Sequence, residues 1–211
     1  MKTQWFPRIS VMLLIRERAF EYLCKAIAMA LKADRCLLIA RFQPLHYGHL
    51  VALRDAFNKF NEVIVVIGMA SQSHTPENPF TAGERILMVR ETVKWDNMSL
   101  DKVITVTLPT IEVSKVAVHY VKLYSPPFTS VVTLNPIVER IFKEEGYAIT
   151  RPPEYNREIY RGSYIRKLMA EGSPKWRELV PKPVADVVDS VDGESRIAML
   201  YRDRIPGYHW E

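Results

Sequence analysis

His46 and His49 stand three residues apart with Gly48 between them, in the stretch Arg41-Phe42-Gln43-Pro44-Leu45-His46-Tyr47-Gly48-His49. If a helix begins here, that spacing sets both imidazoles on one face, one turn apart. The helix start would turn unpaired amides and the positive end of its dipole toward the loop, which favours an anion such as phosphate. Gly48 lets the backbone come close to a ligand where a side chain would block it. Pro44 suits a turn and cannot continue a strand. A metal site is the rival use of the two imidazoles, but the stretch lacks the Glu of a zinc-protease helix and any clear third ligand. Phosphate binding is the chemistry this spacing fits.

A second stretch offers the same chemistry far along the chain. In Tyr160-Arg161-Gly162-Ser163-Tyr164-Ile165-Arg166, Ser163 is expected as a helix N-cap with free amides after it and Arg166 one turn in. Around it, Arg151, Arg157, Arg161, Arg166 and Lys167 are set against only Glu154 and Glu158. Between the two stretches lies a long polar loop, residues 69–79, after a strand end, where ligands usually sit in α/β sheets. Ser73 and His74 in that loop are candidate contacts for a second substrate.

The elements that must position these groups alternate in type. Residues 36–40 are a short, continuous apolar run, read as a buried strand leading into the histidine loop. Leu50, Leu53 and Phe57 then share one helical face. Residues 63–67 form a second such strand, ended by Gly68. Thr81 with Glu84 three residues on predicts a capping box for a helix to about Trp95, with Ile86, Val89, Arg90 and Val93 as its inner stripe. Residues 103–107 predict a third strand, and Val113, Val116, Ala117, Tyr120 and Val121 a helix over 113–123. Residues 130–134 predict a fourth strand, Asn135-Pro136 a helix start, Gly146 its close, and residues 147–150 a short fifth strand. Val184, Val187, Val188 and Val191 fall at helical spacing, with Gly193 as a stop and a last helix near 197–200. The pattern predicts an α/β fold. Its form is a Rossmann-like doubly wound parallel sheet of about five strands with helices on both faces, plus C-terminal helices.

The chain has 211 residues, 48% hydrophobic and 25% charged, which fits one domain with a substantial core. A net charge of +5 suits nucleotide phosphates or a solvated basic surface. No Lys/Arg run or aromatic–basic interleaving argues for nucleic acid. Cys24 and Cys36 lack metal or redox spacing, so a reduced, cytoplasmic setting is the default. Residues 9–15 are largely apolar, but Arg16-Glu17-Arg18 ends the run too soon for a membrane span, and no small-residue cleavage site follows. Phe20, Leu23, Ile27 and Leu31 continue at helical spacing. Residues 1–34 are expected as a helical extension to a domain spanning 35–211, or as codons upstream of a natural start at Met29, and both readings stay open.

His-x-Gly-His after a first strand resembles the signature of the nucleotidyltransferase superfamily, also seen in class I aminoacyl-tRNA synthetases. The longer string from Arg41 to His49 resembles the archaeal-type nicotinamide mononucleotide (NMN) adenylyltransferases. So do Ser73-His74-Thr75 followed by Asn78-Pro79-Phe80-Thr81-Ala82-Gly83-Glu84-Arg85, and the stretch from Ser125-Pro126-Pro127-Phe128 to Asn135-Pro136. Gly162, Ser163 and Arg166 resemble that branch's late Ser-Gly-Thr-x-Ile/Val-Arg phosphate motif. The similarity runs from about residue 36 to residue 202. It departs in having Arg161 for Ser, Ser163 for Thr, Ala40 for Gly, and Ser114 and Ala117 for an Asn and a Trp whose ring stacks on nicotinamide.

The resemblance implies joining of NMN and ATP to give NAD and pyrophosphate. It implies His46, His49 and Arg166 as catalytic residues and Ala40, Arg41, Phe42, Gln43, Gly48, Ser163 and Arg166 around ATP. Ser73, His74, Ser114 and Ala117 fall around the acceptor. Mg2+ would bridge ATP oxygens mostly through water, so no dedicated carboxylate cage is expected. The implied partners are ATP, NMN and further copies of the chain, as a hexamer, with neither nucleic acid nor membrane. Ser114 and Ala117 keep open a superfamily transferase with another phosphate-bearing acceptor. A non-catalytic nucleotide-binding relative is the other alternative, and intact His46, His49, Ser163 and Arg166 stand against it. Length and the missing Lys-rich second signature loop disfavour a tRNA synthetase fragment.

Overall fold

The computed structural model describes residues 34–109 and 115–202; the expected N-terminal helix and Ser114 lie outside the described residues. Five short strands form from the apolar runs: β1 (Arg35–Ala40), β2 (Glu62–Ile67), β3 (Val103–Thr107), β4 (Ser130–Val132) and β5 (Ala148–Thr150). They pair in parallel in the order β3-β2-β1-β4-β5. Leu38 of central β1 lies opposite Val65 on one side and Val132 on the other. Both faces of these inner strands are buried, which is why their sequences run apolar without alternation. Leu38, Val63, Val65 and Ile67 enter one apolar cluster, and Leu37, Ile64, Val66 and Val131 the other.

Among the described residues seven helices cover the faces: α1 (Tyr47–Lys59), α2 (Ala82–Trp95), α3 (Lys115–Tyr124), α4 (Pro136–Glu144), α5 (Gly162–Ala170), α6 (Lys182–Ser190) and α7 (Gly193–Arg202). Leu53, Val89, Ile165, Val188 and Ile197 bring α1, α2, α5, α6 and α7 onto the first cluster. Val121 and Phe142 bring α3 and α4 onto the second. The doubly wound α/β sheet expected from the alternation is the fold that forms.

Several local details differ from the sequence reading. The capping box of α2 is present, with Thr81 Oγ1 accepting from the Glu84 amide at 3.2 Å and Glu84 Oε2 from the Thr81 amide at 2.9 Å. Its inner stripe, however, is Arg85, Met88, Val89, Thr92 and Val93, with Arg90 exposed. Arg85 can turn inward because backbone carbonyls meet its guanidinium. On α3 the buried residues are Val118 and Val121, while Val116 and Tyr120 face out. Arg161, not Ser163, is the N-cap of α5, so Ser163 sits exposed in the first turn. Gly193 opens α7, and a Cβ there would come within 2.8 Å of the Phe80 ring. A 3-10 turn over Pro174–Leu179, which carries no periodic signal, seats Trp176 in the core. Among the described residues no helix is long and apolar enough to cross a membrane.

Candidate active site

From β1 the chain passes through α1 to β2 on one side, while β4 pairs on the other. Such a switch point opens a crevice beyond the carboxyl ends of the strands, where open α/β sheets bind ligands. A cavity of about 670 Å³ lies there. Ala40 and Arg41 wall it from the end of β1, Gly48 and His49 from α1, and Gly68 and Met69 from the end of β2. Thr133 and Asn135 wall it beyond β4, Ala117 and Val121 from α3, and Tyr155 and Arg157 from the segment after β5. Among the described residues its formal charges come from Arg41 and Arg157, and no Asp or Glu lines it. That field suits phosphate.

The loop between β1 and α1 is built from the inside. Phe42 and Gln43 are buried, Phe42 at a left-handed φ of 53°. Gln43 mimics a backbone group, since its Nε2 donates to Phe80 O and its Oε1 accepts from the Phe80 amide, both at 2.9 Å. Neither side chain faces the cavity, so only their backbone is left to meet a nucleotide. His46 is the N-cap of α1 and His49 its third residue. Their rings stack with centroids 3.7 Å apart. The His46 amide donates to His49 Nδ1 at 3.3 Å, which leaves the His49 proton on Nε2. Burial lowers His46 to about 4. Burial, and then the adjacent His46, hold His49 well below the usual imidazole value. Both rings are therefore neutral N–H donors at pH 7. His46 Nδ1 is buried with no hydrogen-bond partner among the described residues.

The late stretch comes to the same loop. Gly162 begins α5 so close to Gln43 that a Cβ would lie 2.8 Å from the Gln43 carbonyl oxygen. Arg166, 4% exposed, donates from Nη1 to Gln43 O at 2.7 Å and from Nε to Pro76 O at 2.9 Å. Burial lowers its pKa, yet a guanidinium stays charged. The cavity walls include Ala40, Arg41, Gly48, His49 and Ala117, but not Phe42, Gln43, His46, Ser73, His74, Ser163 or Arg166. Ser73 Oγ and His74 Nδ1 lie 3.0 Å apart in the exposed loop.

Tyr155 joins the site without any sequence signal. Its ring lies where a Gly48 Cβ would clash with it, and its ring centroid is 6.4 Å from that of His46. The ring occupies the close approach that Gly48 allows. Asn135 did carry a signal as a helix start; its Oδ1 accepts from the Ile137 amide at 2.9 Å. Among the described residues, no group of three or more His, Cys, Asp and Glu is placed to hold a metal ion.

Residues 37–168 match the family described as cytidylyltransferase-like. A protein of Ignicoccus hospitalis named nicotinamide-nucleotide adenylyltransferase is 43% identical over 154 residues, 73% of this chain and 90% of that protein. One of the same name from Saccharolobus solfataricus is 42% identical over 164 residues, 78% of this chain and 95% of that protein. A solved bifunctional NMN adenylyltransferase/ADP ribose pyrophosphatase from Francisella tularensis matches with a TM-score of 0.58 at 18% identity. That match covers 82% of this chain and 57% of the other, and speaks for the fold alone.

Proposed function

The chain belongs to the cytidylyltransferase-like family, and from that premise we propose that it joins NMN and ATP to give NAD and pyrophosphate. An oxygen of the NMN phosphate forms the new bond to the α-phosphorus of ATP as the bond to the departing pyrophosphate breaks. That oxygen is already ionised at neutral pH, so no general base is required. Catalysis reduces to alignment and to stabilising charge on the phosphates.

In this reading, His46 and His49 donate N–H groups to the α- and β-phosphates. Ala40, Arg41, Phe42, Gln43 and Gly48 surround ATP, with Arg41, Ser163 and Arg166 at its β/γ end. Ser73, His74, Ser114 and Ala117 are the acceptor side. Magnesium enters as part of the Mg–ATP substrate, bridging its phosphate oxygens mostly through water. Residues 35–211 act as the transferase domain of a cytoplasmic homo-oligomer, a hexamer.

The observation that supports this most is the meeting of the early and late stretches at Gln43, beside the crevice. Incubating the purified chain with ATP, NMN and Mg2+ tests it. NAD and pyrophosphate are expected in equal amounts; ATP binding with no pyrophosphate release would replace the reading with a non-catalytic one. Ala117 supports a second reading, since its methyl on the cavity wall cannot stack on a ring. Nicotinate mononucleotide, FMN or phosphopantetheine outrunning NMN with labelled ATP would favour that other acceptor.

A further inference from the structure

Arg85 is fully buried, and its side chain forms no ion pair among the described residues. A cation so placed is costly unless its donors are filled. Backbone carbonyls fill them. Nη1 donates to Arg41 O at 3.0 Å and Gly68 O at 2.7 Å, Nη2 to Met69 O at 3.1 Å, and Nε to Thr81 O at 3.1 Å. These carbonyls belong to three separate pieces of chain: the exit of β1, the exit of β2 and the N-cap of α2. Arg41, Gly68 and Met69 are cavity walls, whereas Arg85 is not.

We infer that Arg85 is a positioning residue for the transfer step, fixing residues 41–49, which hold ATP, against residues 69–81, which hold the acceptor. The inference rests on the adenylyl-transfer reading. Two contacts independent of Arg85 tie the same segments: Gln43 to the Phe80 backbone, and Arg166 to Gln43 O and Pro76 O. A rigid fork of donors can span carbonyls on separate strands, whereas one ammonium cannot reach them together. Burial lowers the Arg85 pKa to about 10, so it remains charged at neutral pH.

Arg85→Lys and Arg85→Met in the full chain provide the test. A small misalignment of reacting groups is expected to lower kcat about 100-fold per folded enzyme while KM for ATP and NMN each stay within about threefold. Amide hydrogen exchange is expected to quicken in residues 41–49 and 69–81 together, with the core of the sheet unchanged. Wild-type kcat, exchange that quickens evenly along the chain, or collapse of the fold in both variants would each overturn the inference, the last two making Arg85 a general strut. If the wild-type chain releases no pyrophosphate, the adenylyl-transfer reading falls, and the exchange pattern still decides whether Arg85 ties the two segments.

Discussion

Arg166 Nη1 donates a 2.7 Å hydrogen bond to the Gln43 carbonyl, joining residues 123 apart in the chain. The same guanidinium bonds the Pro76 carbonyl, so three stretches meet on one cation. Replacing Arg166 by Ala leaves both carbonyls without this donor. A loss of roughly 1–3 kcal/mol in denaturant unfolding is expected, because buried carbonyls are left unpaired. If Arg166 stands beside the phosphates as proposed, removing its charge is expected to lower kcat about 100-fold or more. Wild-type turnover in this variant would refute its role.

Gly162→Ala probes the same junction from the other side. The new methyl would lie 2.8 Å from Gln43 O and 3.0 Å from Arg166 Nη1, and the carbonyl is backbone that yields little. The start of α5 must then move. Overpacking of this kind costs about 1–3 kcal/mol, read as a lower melting temperature, and turnover is expected to fall about tenfold with it.

His49→Ala separates chemistry from folding. The ring is half-buried and lines the cavity, with its remaining proton on Nε2. A drop of about 100-fold in pyrophosphate release is expected from losing a preorganised donor, with a cost in stability of only about 1 kcal/mol for the His46 amide left without its acceptor. An equal loss of melting temperature and activity would make it a packing residue instead.

His46 sets a pH dependence of stability. Its pKa falls from 6.5 to about 4 on folding, because burial opposes the charged ring. The folded state therefore binds fewer protons than the unfolded chain between those values. The contribution is full above pH 6.5, is lost as pH falls toward 4, and is on the order of 3 kcal/mol. His49 shifts in the same direction. Urea midpoints measured across that range should fall more steeply for the wild-type chain than for His46→Gln. Parallel curves would remove His46 from the account.

Ala117→Trp tests the acceptor end. Ala117 walls the cavity from α3, and the archaeal-type adenylyltransferases it resembles carry a Trp there. Stacking between rings is worth about 0.5–1.5 kcal/mol, so KM for NMN should fall about two- to tenfold while KM for ATP holds. A weaker affinity for NMN would mean that the acceptor ring lies elsewhere.

Much of this architecture was legible because it is local. The continuous apolar runs of β1 and β2 show in five consecutive residues each, and the Thr81–Glu84 box in four. The contacts that tie the site together are not local. Arg85, Arg166 and Gln43 act on backbone carbonyls and amides, which look alike at every position, so no partner residue type betrays them. Arg90 and Arg85 are hard to tell apart from periodicity alone, and the inward one is chosen by carbonyls at the ends of two strands. Ser163 has the side chain of a good N-cap, yet the close seat at Gly162 starts the helix two residues earlier, with Arg161 as its N-cap. Tyr155 reaches Gly48 across more than a hundred residues, a distance that no helical or strand period can register.

That aromatic seat has a thermodynamic consequence. The Tyr155 ring already keeps the first turn of α1 dry at Gly48. A planar base arriving there exchanges one aromatic surface for another, so little fresh apolar area leaves water. Calorimetry of nucleotide binding should then report only a small negative heat-capacity change. Tyr155→Ala should enlarge it, because the base would dehydrate a surface that solvent had reclaimed.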